Sequence, residues 1–158
     1  MSFEGRELRD AMGRFATGVC LITTVTKEGI AMALTANSFT SVSLDPPLVL
    51  WNLQDTSDVY DNFATPRHFA INVLALEQQD LSNQYARKGQ HEIDTGHFSI
   101  GKHGAPIIHD ALVSMECELE ATHSGGDHLI IVGRILDLVE RVSGDPLVFY
   151  AGGYRELS

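Results

Sequence analysis

The chain has 158 residues, 44% of them hydrophobic, and a formal net charge of −10. That length supports one domain with a sizeable core, so 1–158 is read as a single domain. The acidic balance argues against nucleic-acid binding, which needs a basic patch, and no apolar run approaches the roughly 20 residues of a membrane span.

Met1 to Arg6 lacks a basic region followed by an apolar one. No signal peptide is read there, and a cytoplasmic location is expected. Gly5 to Thr17 places Leu8, Met12 and Phe15 near one face and predicts a helix, with Gly18 as its C-terminal cap. Val19 to Thr26 is rich in β-branched residues and reads as a strand. Lys27-Glu28-Gly29 is a turn, and Ile30 to Ser38 returns as the second strand of a hairpin. Pro47 to Leu53 is a short apolar strand. Thr56 to Phe63 fits a helix capped by Thr56 or Ser57. Phe69 to Leu74 is a strand, and Glu77 to Arg87 a second short helix. Lys88 to Gly104 is polar and punctuated by glycine, so it reads as loop.

Leu112 to His123 alternates, with Val113, Met115, Cys117, Leu119 and Ala121 on one side. Ser114, Glu116, Glu118 and Glu120 fall on the other, which predicts a half-exposed strand of an antiparallel sheet. Ser124 to Asp127 is a turn, and His128 to Arg141 is a strand with Gly133 at a bulge. Pro146 to Tyr150 is a last short strand. Short strands joined by turns, with few helices between them, predict an antiparallel barrel or sandwich. No strand is followed by G-x-G-x-x-G, so a nicotinamide nucleotide would not be held by a Rossmann domain.

The run from Thr35 to Leu48 gathers many hydroxyl and amide side chains and ends in Asp45-Pro46-Pro47. An unpaired polar group taken out of water costs about 1–3 kcal/mol. The run therefore faces either water or a polar ligand, and composition leaves both open. Cys20 and Cys117 lie in apolar, strand-like surroundings and read as buried, reduced and inert. His91, His97, His103 and His109 recur every six residues, which invites a metal. The intervening glycines and the lack of a tight ligand pair argue against one, so none is assigned. Trp51 reads as core or interface.

Five segments together resemble the short-chain flavin reductases, whose domain is the FMN-binding split barrel. They are Met12 to Val19, Thr35 to Leu48, Phe69 to Leu74, Gly125-Gly126-Asp127-His128, and Pro146 to Tyr150 followed by Gly153-Tyr154-Arg155. The second is the most specific. The resemblance implies a mainly β fold with flanking helices, a six-stranded antiparallel Greek-key split barrel, working as a homodimer. It implies FMN or FAD as the flavin and NADH or NADPH as the donor. Thr35, Ala36, Asn37 and Ser38 would line the isoalloxazine edge. Ser41 and Val42, and Ser57 in the Asp55-Thr56-Ser57 turn, would approach the ribityl and phosphate end. Tyr154 carries over as a further cofactor-binding position, and His128 as the catalytic residue near the nicotinamide. The chain departs from the pattern at Ala33-Leu34, where many relatives have glycine, and at Tyr85-Ala86, where they have phenylalanine-alanine.

Hydride transfer between nicotinamide and flavin needs orientation and electrostatics from the protein rather than a nucleophile. Backbone N–H groups and the Asn37 amide suit flavin carbonyls, where charge grows on reduction. His128 either meets the nicotinamide or caps the Ser124–Asp127 turn. Arg87 and Lys88 either neutralise a flavin phosphate or face the preceding helix dipole. The function expected is a flavin reductase that supplies diffusible reduced flavin to a separate monooxygenase. The alternative is a tight FMN binder that reduces another acceptor or carries electrons.

Overall fold

The computed structural model describes residues 2–158. Its helices are α1 (Gly5–Met12), α2 (Tyr60–Ala64) and α3 (Gln79–Tyr85). Its early strands are β1 (Thr17–Gly18), β2 (Cys20–Val25), β3 (Ala31–Ala36), β4 (Thr40–Leu44), β5 (Pro47–Gln54) and β6 (His68–Val73). The later ones are β7 (Phe98–Ile100), β8 (Pro106–Ile108), β9 (Val113–Gly125), β10 (His128–Glu140), β11 (Val148–Tyr150) and β12 (Gly153–Arg155). The main sheet has seven strands in the order β3-β2-β6-β9-β10-β5-β4, all antiparallel. A three-stranded sheet β1-β11-β12 and a β7-β8 pair complete it.

The expected six strands are thus corrected to seven, and β4 is the addition. It lies inside the polar run, at the sheet edge, with Thr40, Ser41, Val42 and Leu44 all exposed. A strand with no buried face shows no apolar alternation, so periodicity misses it. A bulge between Ser41 and Ser43 disrupts it further.

The core lies on both sides of β2. Cys20 and Ile22 join Trp51, Phe63, Phe69, Ile71, Cys117 and Ile131 in one cluster. Val19 and Leu21 join Ala33, Leu74, Tyr85, Ile108 and Leu147 in another. Burial on both faces explains the continuous apolar run of this strand. Gly133 sits at a register shift between β9 and β10, as its place in the sequence predicts. A Cβ there would lie 2.6 Å from the Phe69 ring and 3.0 Å from the Cys117 Cβ.

Several sequence expectations need correction. The first helix stops at Met12, not Thr17, because Gly13 closes it through a 2.8 Å bond to Arg9 O and Thr17–Gly18 is claimed by β11. Among the described residues α1 buries none, and Met12 and Phe15 are exposed. The second helix begins at Tyr60, and neither Thr56 nor Ser57 caps it by side chain; Ser57 Oγ accepts from Val59 N at 3.3 Å instead. The third begins with a short 3-10 turn, Leu76–Gln78. The expected 88–104 loop contains a turn at Thr95–His97 and the strand β7.

Ser114 and Glu116, assigned to the solvent side of β9, are buried. The β7-β8 hairpin lies over them. Glu116 Oε2 accepts from His103 N (3.0 Å) and Ala105 N (3.2 Å), and Gly101 leaves no room for a Cβ beside that carboxylate. Ser114 Oγ donates to Asn72 Oδ1 at 2.6 Å, which also accepts from Ile108 N at 3.0 Å. Asn72 Nδ2 donates to Leu21 O and Thr23 Oγ1. Each buried polar group of this network finds a partner, as burial requires.

Candidate functional site

Residues 37–39 join β3 directly to β4, the two edge strands of the main sheet. Residues of this segment, of β5, of the turn after β5, of the chain after α3 and around the β9-β10 turn line a cavity of about 700 Å3. Its lining includes Thr35, Ala36, Asn37, Ser38, Ser57, Lys88 and His128, so the fold brings together seven of the positions singled out in the sequence.

The other four lie outside this lining. Ser41 and Val42 are exposed on the edge strand β4. Arg87 is exposed just past α3. Tyr154 lines a smaller neighbouring cavity of about 290 Å3 that shares Thr35, Ala36, Asn37 and Ala86 with the first. Its hydroxyl lies 2.6 Å from Ser82 Oγ.

The polar run divides by what its side chains already do. Thr35 Oγ1 donates to Ser82 O at 2.7 Å, tying β3 to α3. Ser38 Oγ accepts from Asn52 N at 2.9 Å and donates to Asn52 O at 3.3 Å. In register Thr40 pairs with Leu50, so Ser38 falls opposite Asn52, and its hydroxyl replaces a rung of the backbone ladder. Both hydroxyls are committed to the chain. The Asn37 side chain is exposed at the cavity and, among the described residues, makes no hydrogen bond. Trp51 Nε1 and Asn52 Oδ1, on two further lining residues, are buried with no hydrogen-bond partner among the described residues.

Two histidine–aspartate pairs stand at the cavity. His128 Nδ1 lies 2.7 Å from Asp127 Oδ1, so Nδ1 carries a proton that it donates to the carboxylate, and Nε2 makes no hydrogen bond among the described residues. That bond, with the charge of His128, holds the Asp127 carboxyl below the usual range. His91 is buried and reaches Asp58 Oδ1 through Nε2 at 2.9 Å. Desolvation pushes the Asp58 carboxyl up, but Gly89 N–H and His91 outweigh it and hold it below its ordinary value.

Sequence reasoning missed Asp58, His91, Asn52 and Ala86 as lining residues. His91 is one of the four periodic histidines, which the structure disperses. His97 Nδ1 meets Tyr85 Oη at 2.8 Å, His109 bonds Ser99 and Gly96, and His103 stacks near His68. Trp51 is core, 1% exposed, and its edge still reaches the cavity. No helix among the described residues is long and apolar enough to cross a membrane.

A flavin reductase like domain profile matches residues 12–158. The chain is 43% identical over 153 residues to the FMN reductase (NADH) SmoA of Agrobacterium fabrum, covering 97% of this chain and 86% of that protein. It is 40% identical over 149 residues to the reductase component of a flavin-dependent trigonelline monooxygenase from Acinetobacter baylyi. That match covers 94% of this chain but 48% of the relative, so the chain spans about half of the longer protein. Among solved structures, the Streptomyces globisporus NADH:FAD oxidoreductase SgcE6 in complex with NAD and FAD fragments superposes with a TM-score of 0.90 at 31% identity. That match covers 97% of this chain and 92% of SgcE6. The chain belongs to the flavin reductase like domain family.

Proposed function

We propose that this chain is an NAD(P)H-dependent flavin reductase, passing a hydride from a nicotinamide nucleotide to FMN or FAD. One observation carries the reading. In a member of this family, one cavity is lined by Thr35, Ala36, Asn37 and Ser38 together with His128, and the Asn37 amide makes no hydrogen bond among the described residues. The residues present fit a flavin, because Asn37 offers an amide to a polar ring edge and Lys88 a cation to an anionic tail.

The two nucleotides supply the hydride chemistry. The protein's part is to bind, orient and stabilise charge. Asn37 and the backbone beside it donate where negative charge grows, and donors fixed in advance cost no reorganisation at that moment. His128, donating from Nδ1 to Asp127, presents Nε2 to the nicotinamide. Lys88 and the Thr56-Ser57 turn hold the phosphate end of the flavin. Ser41, Val42, Arg87 and Tyr154 extend the flavin-binding set, Tyr154 from the neighbouring cavity that shares Thr35, Ala36 and Asn37 with this one.

The domain is the split barrel over 1–158, and it works as a homodimer. Support comes from apolar side chains along α1 and just past its end: Leu8 and Met12 in the helix and Phe15 after it are 38%, 69% and 79% exposed. Exposed apolar side chains of this kind fit an interface. Reduced flavin passes by diffusion to a separate monooxygenase, as the name of the Acinetobacter relative suggests. A cytoplasmic location suits two free, buried thiols. Stopped-flow mixing of protein, FMN or FAD, and NADH or NADPH tests the activity. Flavin bleaching no faster than without protein, with either donor, would end the proposal. Sedimentation at low micromolar concentration tests the dimer.

A further inference from the structure

Binding and hydride transfer leave one charged pair at the cavity unexplained. Asp58, next to Ser57, and His91, beyond α3, both line it. The His91 side chain is 3% exposed. Its Nδ1 lies 2.9 Å from Ala33 O, and its Nε2 lies 2.9 Å from Asp58 Oδ1. Both neighbours are acceptors, so the ring satisfies both only with a proton on each nitrogen. The other Asp58 oxygen accepts from Gly89 N at 2.7 Å. The Asp58 charge is thus met on both sides.

The other charged or titratable groups in the lining are Lys88 and His128, and β3, packed against the ring, carries none. Lys88 is the single lysine or arginine of the lining among the described residues. It directly precedes Gly89, and so stands beside Asp58. An anion drawn to Lys88 must therefore approach a carboxylate.

We propose that His91 is a positioning residue of the flavin site, which cancels the charge of Asp58 so that the phosphate of FMN can lie against Lys88 and the Thr56-Ser57 turn. The inference rests on the flavin reductase reading. A bare carboxylate in that wall would repel a phosphate, and like charges a few ångströms apart in a partly wet cleft shift affinity by about tenfold. His91 also donates to Ala33 O, and its own carbonyl accepts from Ala33 N at 2.8 Å, so the imidazole is held from both ends against β3.

The test compares FMN with riboflavin, which lacks the phosphate. Dissociation constants come from quenching of flavin fluorescence, and KM and kcat from NADH oxidation. The proteins are the wild type, His91→Gln, Asp58→Asn and the double variant. His91→Gln should lower the preference for FMN over riboflavin about tenfold, mostly through KM, because it leaves Asp58 uncompensated. Adding Asp58→Asn should restore the preference, which loss of a purely structural contact would not allow. Equal losses for both flavins, or no restoration in the double variant, would overturn the inference. If His91→Gln does not fold, Asp58→Asn alone decides: it should keep or raise the preference, and a fall overturns the proposal. A wild type that reduces both flavins but does not prefer FMN overturns this inference alone. A wild type that reduces neither overturns the functional reading beneath it.

Discussion

Ser38→Ala tests whether the hydroxyls of the polar run serve the chain or the ligand. Ser38 Oγ makes one well-formed bond from Asn52 N at 2.9 Å and a longer one to Asn52 O at 3.3 Å. Alanine would leave both backbone groups of a half-buried residue without that partner. The loss of one good hydrogen bond, plus a donor left unsatisfied, amounts to about 1–2 kcal/mol. For a chain of this size that lowers the melting temperature by about 2–8 °C. The assay is thermal unfolding without flavin, at one fixed protein concentration because self-association alters apparent stability. Flavin affinity is measured on the same samples at a temperature where both proteins are folded. The expected result is a lower melting temperature, with a weaker effect on affinity that follows the displaced backbone. An unchanged melting temperature together with weakened flavin binding would refute the reasoning, since the hydroxyl would then be free for the ligand.

Three further outcomes are expected. Gly133→Ala forces a Cβ to 2.6 Å from the Phe69 ring in a closed part of the core, so urea unfolding should show a loss of about 1–3 kcal/mol; a neutral substitution would mean that the ring moves aside freely. Burial pushes the thiols of Cys20 and Cys117 up to about 12, the charge of Glu116 adding to the second. Unfolded thiols ionise at about 8.5, so above that pH the unfolded chain has released protons that the native one keeps, and stability falls as pH rises by about 1.4 kcal/mol per unit and thiol. Comparing Cys20→Ala with the wild type at about pH 8 and about pH 10 should show a fall smaller by about 2 kcal/mol in the variant; parallel falls would count against it. His128→Ala should raise the KM for NADH about tenfold, the worth of one hydrogen bond near the upper end of the usual range. Because its partner Asp127 is exposed, thermal stability should hardly change.

The fold was legible wherever one physical signal dominated. The β2-β3 hairpin carries β-branched residues around a turn with Gly29 at φ 86°, and β9 carries clear alternation. The reading failed where tertiary packing overrides the local pattern. Glu116 has the periodicity of a solvent-facing residue, but the β7-β8 hairpin covers it and satisfies it with backbone N–H groups. That hairpin was itself hidden, because Ser99, Ile100, Gly101 and His103 read as loop. The edge strand β4 gave no apolar face to detect. Residues 14 to 17 continue a helical pattern, yet the ladder between β1 and β11 holds Thr17 and Gly18 extended.

The site was legible in its residue types but not in how their bonds are allotted. The density of hydroxyls in Thr35–Ser41 signalled that something polar must satisfy them, and part of the answer is the protein itself. Thr35 is committed to Ser82 O and Ser38 to Asn52, two partners distant in sequence that no local pattern reveals. With those hydroxyls engaged, Thr35 and Ser38 have their backbone left to offer the cavity they line, beside the amide of Asn37. This division has a mechanistic consequence. A ligand edge read by a clamped backbone meets donors whose positions are set by the sheet, and preorganised donors stabilise developing charge better than mobile side chains. The histidines invert the same lesson. Their even spacing suggested one shared site, whereas folding sends His97 and His109 to structural bonds and brings only His91 to the cavity, beside an aspartate that sequence reasoning had no cause to notice.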